Sequence, residues 1–311
     1  MRSVSRLDDR LIARWWFSVD RPSIAALAAM LTIGGVLIFA AGPTAAARMN
    51  INNEFHFAFR QLLFLGPSIA LLFIASLLPP LQARRVGVIL FGLMLALMAY
   101  ALVFGSVING ARRWIDLGSF LLQPSEFAKT GFVISAAWMM AEGARDPKFP
   151  GGTFALCLYV VFASLLMMQP DFGQWALITA VWAVMFFVAG WSWIWVIALA
   201  VAGCAALAAG YFFSPHVARR IDGFLQPENG GNYQVDRALE TLNNGGVFGR
   251  FWRDDVEPVK RLLPDAHTDF IFAVAGEEFG FVLCVLIIGL FAFFVIRNLV
   301  IAAGLRSLFA Q

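Results

Sequence analysis

The chain has 311 residues, of which 60% are hydrophobic and 14% charged, and its formal net charge is +3. Soluble globular domains average roughly 45–50% apolar and about 25% charged residues, so the composition excludes a water-soluble protein and makes lipid the solvent for much of its surface. The small positive charge gives no sign of nucleic-acid binding.

Eight apolar segments approach the length of about 20 residues that a bilayer-spanning helix needs. They cover approximately residues 23–42, 61–80, 86–105, 127–143, 153–169, 172–190, 193–213 and 271–296. The first is longer than the apolar core of a signal peptide and more spans follow it, so we treat it as a retained helix. The pattern predicts an all-α fold, a polytopic transmembrane bundle of about eight spans.

The basic residues favour a cytoplasmic N-terminus. Arginine or lysine residues occupy the N-terminal stretch, the loop at Arg84–Arg85, the loop after the fourth span and the end of the eighth. We therefore predict a cytoplasmic segment over residues 1–22 lying along the membrane face and a transmembrane domain over 23–297. A long extracytoplasmic loop covers about 214–270, and a cytoplasmic end covers 298–311.

The first charged segment on the predicted outer face is NGARRWIDLGSFLLQPSEFAK, residues 109–129. We expect it to dip into the membrane interface. Arg112 and Arg113 suit either lipid headgroups or a diphosphate, because guanidinium forks bind phosphate oxygens bidentately. Ser125 is predicted to cap the next helix, which places Glu126 and Lys129 one turn apart.

The second segment, MQPDFGQ at residues 168–174, is predicted to form a tight turn that presents Asp171. A helix-capping role and a functional role weigh about equally for this aspartate. Together with the aspartate described next, it places carboxylates and cations close to lipid. That combination suits either chemistry on a lipid-linked phosphate or transport of one.

The third segment is LLPDAHTDFIFAVAGEEFGF, residues 262–281, which sets His267, Asp269, Glu277 and Glu278 in an apolar run. Charged groups at membrane depth are rare and often mark a functional path. For the glutamate pair, a structural ion pair with Arg or Lys inside the bundle is the favoured interpretation. His267 is interpreted as a hydrogen-bonding loop residue, since no second His or Cys accompanies it as a metal ligand.

In this order and spacing, GARRWIDLG, LQPSEFAK, QPDFG and LPDAHTDFIFAVAGEEFGF resemble the SEDS family of cell-wall glycan polymerases over nearly the whole chain. LPDAHTDFIFAVAGEEFG and WWFSVDR are closer to the division branch, FtsW, than to the elongation branch, RodA. The resemblance implies a multi-pass protein of the bacterial inner membrane at the division septum. It also implies a peptidoglycan glycosyltransferase that polymerises lipid II with inversion, undecaprenyl diphosphate being the leaving group.

The resemblance also implies roles for individual residues. Asp269 matches the family's essential aspartate and is predicted to be the general base that activates the acceptor hydroxyl. The family's QPD motif matches Asp171, its QPSEFAK motif matches Lys129 with Glu126, and its VKR motif matches Lys260. The predicted substrate-binding set comprises these residues together with Arg112, Arg113, His267 and Glu277. Within it, the four cations Lys129, Arg112, Arg113 and Lys260 are candidates for binding the diphosphate. A divalent cation, Mg²⁺ or Mn²⁺, is compatible with this chemistry, although no motif specifies a metal site.

The implied partners are lipid II, a class B penicillin-binding transpeptidase (FtsI in the case of FtsW) and other division membrane proteins. Two features depart from the family pattern. The family usually has ten spans, whereas this chain ends shortly after the eighth and is therefore expected to be truncated. GGVFGR is followed by FWRDDVEPVKR, where the family has a glycine-rich stretch. These departures keep a non-catalytic division scaffold open as an alternative. A lipid II flippase is the other alternative, in which Asp171, Asp269 and the glutamate pair line a translocation path.

Overall fold

The computed structural model of the chain describes residues 11–108, 110–118, 120–190, 193–213, 218, 222, 233–251, 259–305 and 309. The first ten residues of the predicted N-terminal segment lie outside this part of the chain. So does the FWRDDVE segment, apart from Phe251.

Helices dominate the described residues. In chain order they are α1 (Leu11–Ser18), α2 (Arg21–Arg48), α3 (His56–Ser76), α4 (Pro80–Phe104), α5 (Pro124–Arg145), α6 (Gly151–Met168), α7 (Phe172–Val188), α8 (Trp193–Phe213), α9 (Tyr233–Asn244) and α10 (Ile271–Ala303). Each predicted span coincides with one helix, α2 to α8 or α10, which confirms the helical fold class. Within the described residues, α2, α3, α4, α6 and α10 are long and apolar enough to cross a membrane. The number of spans stays a prediction.

A small antiparallel sheet separates α4 from α5. It consists of β1 (Ser106–Ile108), β2 (Ala111–Asp116) and β3 (Leu121–Leu122), in that order. Gly110 and Gly118 turn the chain between the strands with φ angles of 78° and 81°, a conformation that side chains with a Cβ disfavour. The expected interfacial dip is therefore a hairpin followed by a short third strand, which the short and mixed sequence did not reveal.

The helices divide into two compact units, residues 1–77 with 210–304 and residues 78–209 with 305–311. The second unit is built on α4 to α7, whose core is aromatic at its centre. Phe132 and Phe162 are fully buried there, and Tyr159, Trp182 and Phe186 stack in sequence with ring centroids 4.9 and 4.8 Å apart. These apolar faces hold together the helix ends that carry the second unit's polar residues.

Helices α4 and α5 approach each other closely in the second unit because both carry glycine at the crossing. A Cβ on Gly131 would lie 2.8 Å from the Phe91 nitrogen and 2.9 Å from the Gly87 oxygen. No side chain fits in that space, so the crossing depends on the glycine itself. The crossing in turn positions the start of α5, where several of the predicted site residues lie.

The first unit is built on α2, α3, α9 and α10. A small core of Ala41, Leu263, Ala266, Ala273 and Val274 joins α2, the loop after residue 261 and the start of α10. At the opposite ends of the same two helices, Arg297 of α10 forms two hydrogen bonds, of 3.2 and 2.8 Å, with the Asp20 carboxylate. This arginine lowers the pKa of Asp20, which also caps α2 through Ser23. Helices α2 and α10 are thus tied near both ends.

Part of the predicted long loop is helical. Within residues 214–270, α9 forms an amphipathic helix, and Val259–Arg261 form a single 3-10 turn. The following loop, residues 262–270, leads directly into α10. The predicted domain boundaries and the interfacial position of the N-terminal segment stay predictions.

Candidate functional site

Most of the predicted site residues fall into two clusters, each within one unit of the chain. We call the first the QPD cluster; it consists of Arg113, Gln123, Glu126, Lys129, Asp171 and Gln174. The second surrounds a break in α10 and is called the helix-break cluster; it consists of Asn244, Lys260, Glu277, Glu278 and Gly280. Asp269 and His267 lie in the loop that precedes α10. The two clusters are described separately below.

Asp171 is the N-cap of α7. Its Oδ1 accepts a hydrogen bond of 3.5 Å from the backbone nitrogen of Gln174. Only 7% of the residue is exposed, so the turn does not present this aspartate to solvent as predicted. The reason is that Gln123 and Arg113 cover the carboxylate, with nitrogen–oxygen distances of 3.4 and 3.5 Å to Oδ2. The capping role is confirmed.

Arg113 holds the turn that precedes α7. Its Nε donates to the Gln169 carbonyl at 2.9 Å and its Nη2 to the Pro170 carbonyl at 2.5 Å, while Nη1 faces Asp171. All three guanidinium nitrogens are therefore occupied by protein. Successive strand residues point to opposite faces, and Arg112 is exposed, with Nη1 donating to the Val103 carbonyl at 2.6 Å. Arg112 consequently has more N–H groups left for a phosphate than Arg113.

Helix α5 begins two residues earlier than expected, at Pro124, so Ser125 lies inside its first turn. Gln123 occupies the N-cap position and Pro124 the first turn, so the prediction that Ser125 caps the helix is wrong. Proline fits there because the first turn needs no N–H donor. The predicted pairing of Glu126 with Lys129 is confirmed at 2.8 Å.

Glu126 also connects two sequence motifs. Its Oε2 accepts from Lys129, and its Oε1 accepts a hydrogen bond of 2.6 Å from Nε2 of Gln174. LQPSEFAK and QPDFGQ thus meet through their side chains, 48 residues apart in the chain. Lys129 keeps 23% of its side chain exposed, so it is available to an anionic ligand.

The loop of residues 262–270 buries some of its side chains in the core of the first unit and exposes others. Leu263 and Ala266 are 1% and 3% exposed in the core between α2 and α10. Asp269 is exposed, and no hydrogen bond or ion pair joins its carboxylate to another residue in the described ranges. An anchored backbone with an open carboxylate leaves Asp269 free to approach a substrate hydroxyl, which a general base must be able to do.

His267 lies against aromatic surface beside Asp269. Its ring centroid is 4.1 Å from that of Phe57, and its buried Nδ1 finds no hydrogen-bond partner within the part of the chain that the structure describes. Burial lowers the pKa of His267, and the carboxylates of Asp265 and Asp269 oppose that shift. The environment thus favours a neutral imidazole, which is able to accept or donate a single hydrogen bond.

Glu277 is 1% exposed, and protein donors hold both of its carboxylate oxygens. Oε1 accepts from Asn244 Nδ2 and from the Val259 backbone nitrogen, each at 2.7 Å, and Oε2 accepts from the Lys260 backbone nitrogen at 2.9 Å. The carboxylate therefore ties the end of α9 and the 3-10 turn to α10. Its predicted role in binding substrate stays a prediction, and the contacts seen here are structural.

Glu278 forms an ion pair with Lys260, and the two side chains are 13% and 11% exposed. Lys260 Nζ also donates to the Ala40 carbonyl of α2 at 3.0 Å. The favoured interpretation of the glutamate pair, a structural ion pair inside the bundle, is confirmed for Glu278. Lys260 was predicted to face the diphosphate, but its ammonium is paired with protein here.

Helix α10 is interrupted at Gly280, whose φ and ψ are 79° and −177°. The break frees the backbone groups of the helix turn around it, and residues 246–251 bind them. Arg250 and Phe251 donate to the carbonyls of Glu277 and Glu278, both at 2.9 Å. The nitrogens of Phe281 and Val282 donate to the carbonyls of Gly246 and Val247 at 2.9 and 3.2 Å.

The glycines of GGVFG permit this pairing. A Cβ on Gly245 or Gly249 would collide with the backbone of α10 at Gly276 or Glu278. This part of the glycine motif therefore serves close packing against α10.

Sequence reasoning missed three side chains of the two clusters, Gln123, Gln174 and Asn244. The two glutamines stand inside the quoted motifs, and Asn244 directly precedes GGVFG. The sequence feature that could have revealed them is an amide side chain close to the motif residues. Such an amide is expected to form a hydrogen bond, but the sequence does not show with which residue.

Within the described ranges, no group of three or more His, Cys, Asp or Glu side chains converges to hold a metal ion. A preformed site built from protein ligands alone is therefore unsupported in this part of the chain. The divalent cation stays a prediction.

Comparison with known proteins identifies the family. A profile of the FtsW/RodA/SpoVE proteins, described as cell cycle proteins, matches residues 21–311. The chain belongs to this family. Its motifs, the QPD cluster and the helix-break cluster can therefore be considered features of an FtsW/RodA/SpoVE member.

Curated proteins with similar sequences are named FtsW, the division branch of the family. The chain is 39% identical over 307 residues to the probable peptidoglycan glycosyltransferase FtsW of Caulobacter vibrioides, covering 99% of this chain and 78% of that protein. It is 32% identical over 282 residues to the protein of the same name in Tolumonas auensis, covering 87% and 73%. These matches agree with the expected closeness to the FtsW branch.

Solved structures share the fold. A chain from a peptidoglycan synthase complex that coordinates polymerization and crosslinking matches with a TM-score of 0.74 and 26% identity, covering 95% of this chain and 81% of that one. The rod shape determining protein RodA of Thermus thermophilus matches with a TM-score of 0.65 and 26% identity, covering 95% and 80%. A polytopic helical membrane fold follows from both likenesses.

Proposed function

We propose that this FtsW/RodA/SpoVE member is a peptidoglycan glycosyltransferase that polymerises lipid II at the division septum. The observation that carries the proposal is the open carboxylate of Asp269 on its anchored loop, within a chain whose curated relatives are named peptidoglycan glycosyltransferases. Asp269 accepts the proton of the acceptor sugar hydroxyl. The hydroxyl oxygen then bonds to the anomeric carbon of the donor, and the bond from that carbon to undecaprenyl diphosphate breaks.

The leaving group determines what else the protein must supply. A departing diphosphate gains negative charge, and N–H donors aimed at it lower the barrier. Among the predicted cations, the side chains of Arg112 and Lys129 each have a single protein partner within the described residues, whereas Arg113 has three protein contacts and Lys260 has two. We assign diphosphate binding to Arg112 and Lys129, and positioning of local backbone to Arg113 and Lys260.

The test is polymerisation of purified lipid II by Asp269→Asn, which keeps the side chain's size but removes its basicity. Loss of a general base typically costs about 10²- to 10⁴-fold in rate. Asp265→Asn is the matched control, because Asp265 is exposed in the same loop and its φ of 51° is tolerated by asparagine. Glycan made by Asp269→Asn at the rate of Asp265→Asn would refute the catalytic assignment.

We also propose that the partner is a class B penicillin-binding transpeptidase, FtsI in the division branch, together with other division membrane proteins. One of the solved relatives belongs to a peptidoglycan synthase complex, which supports this proposal. Co-purification with FtsI from membranes tests it. A chain that polymerises lipid II but never co-purifies with the transpeptidase would contradict the partner and leave the enzyme intact.

The proposed topology places the N-terminus in the cytoplasm and the loop before α10 outside the inner membrane. A reporter fused at Gln311 is expected in the cytoplasm and one at Asn229 in the periplasm. A cytoplasmic Asn229 would place Asp269 on the wrong side for an externalised substrate.

A further inference from the structure

The second unit has a cavity, wide open to the protein surface, that the proposed polymerase chemistry does not use. It lies where α4 begins, α5 ends and α6 begins, and its volume is about 550 Å³. Its walls are formed by Arg84, Trp138, Met139, Glu142, Phe149 and Phe154. We call it the headgroup cavity. Small-molecule sites typically have volumes of about 300–1,000 Å³, with mostly apolar walls and a few placed polar groups.

Two opposite charges line the headgroup cavity without pairing to each other. The Arg84 guanidinium lies over the rings of Trp138 and Phe309, 5.6 and 5.4 Å from their centroids. Neither Arg84 nor Glu142 makes an ion pair or a side-chain hydrogen bond with another residue in the described ranges. An aromatic environment around one cation and one anion, with neither charge neutralised by protein, suits a ligand that carries both charges itself.

The surroundings indicate where that ligand comes from. Arg85 in α4, Arg145 at the end of α5 and Lys148 in the loop before α6 lie on the same side of this unit's helices, and all three are exposed. Such residues lie at the level of the lipid headgroups when they end bilayer spans. A membrane lipid is therefore the available ligand that combines a polar head with an apolar tail.

We propose that the headgroup cavity binds phosphatidylethanolamine. The phosphate accepts hydrogen bonds from Arg84, the primary ammonium donates to Glu142, and the acyl region lies against Phe149 and Phe154. Phosphatidylglycerol has no cation for Glu142, because its glycerol head is neutral and its only charge is that of the phosphate. Phosphatidylcholine has a cation, but its methylated nitrogen donates no hydrogen bond.

The experiment is native mass spectrometry of the full chain in detergent, titrated with each of the three lipids. We expect phosphatidylethanolamine to bind about 10-fold more tightly than either competitor, which is about 1.4 kcal/mol. Glu142→Gln should abolish the preference for phosphatidylethanolamine over phosphatidylglycerol, since only the former uses the carboxylate. Arg84→Gln should weaken binding of all three lipids about 10-fold.

Arg85→Gln is the matched control, because it removes a neighbouring exposed arginine that does not line the cavity. It should leave the lipid preference unchanged. Equal or tighter binding of phosphatidylglycerol to the unmodified chain would overturn the proposal, as would an unchanged preference in Glu142→Gln. Because binding is measured without lipid II, the result is independent of whether the chain polymerises glycan.

Discussion

Replacement of Glu277 separates a structural role from a role in substrate binding. Its carboxylate accepts three hydrogen bonds, two of them from the backbone nitrogens of Val259 and Lys260. A buried donor left without a partner costs about 1–3 kcal/mol. With two backbone donors orphaned, Glu277→Ala should lower the free energy of unfolding by about 3–5 kcal/mol.

The isosteric change gives a sharper value. Glu277→Gln keeps one oxygen that can accept hydrogen bonds. It replaces the other carboxylate oxygen with an amide NH₂, which cannot accept the hydrogen bond that this oxygen received from its N–H donor. One lost hydrogen bond to a charged group corresponds to about 1.5–3 kcal/mol. The measurement is equilibrium unfolding in mixed dodecylmaltoside and SDS micelles, followed by tryptophan fluorescence.

Glu240→Gln is the control, because this glutamate is half exposed and forms a surface ion pair with Arg237. Exposed ion pairs contribute about 0–1 kcal/mol. If Glu277→Gln is no less stable than Glu240→Gln, the structural account of Glu277 is wrong. If stability is unchanged and lipid II polymerisation is lost, the predicted substrate-binding role is supported instead.

Three further substitutions test other contacts. Gly131→Ala should lower the free energy of unfolding by about 1–3 kcal/mol, because its Cβ would overlap the backbone of α4. Gly92→Ala is the control and should be neutral or slightly stabilising, because its Cβ would meet open space. Equilibrium unfolding of both variants gives the two free energies. Arg113→Lys should lower the Tm by more than Arg112→Lys, because one ammonium cannot replace three guanidinium contacts. Burial lowers the pKa of His267 below its ordinary value of 6.5, so the folded state binds its proton less readily than the unfolded state and loses stability as pH falls below about 6.5. His267→Gln should therefore show a smaller decrease in Tm between about pH 7 and pH 5 than the unmodified chain.

Local sequence patterns were sufficient to predict the eight helices of the expected spans and one short-range contact between their side chains. Apolar length placed a helix at each expected span, because lipid requires every backbone group to be bonded within its own segment. The spacing of Glu126 and Lys129 predicted their ion pair, since residues three apart face the same side of a helix.

Long-range contacts could not be predicted in the same way. Arg113 and the turn it binds are 56 residues apart, and Glu277 and Asn244 are 33 residues apart. Nothing in either local pattern specifies such a partner. The sequence therefore could not distinguish among four candidate cations for the phosphate. The structure distinguishes them, because Arg113 and Lys260 bind protein oxygens.

The break at Gly280 has a consequence for building chimeras within this family. Residues 246–251 and 277–282 complete each other's backbone hydrogen bonds, so neither segment is a self-sufficient module. If only the loop were replaced, its new backbone would have to bind the helix turn around Gly280, whose N–H and C=O groups are not paired within α10. The two segments should therefore be exchanged together as one cassette, although about 25 residues separate them in the chain.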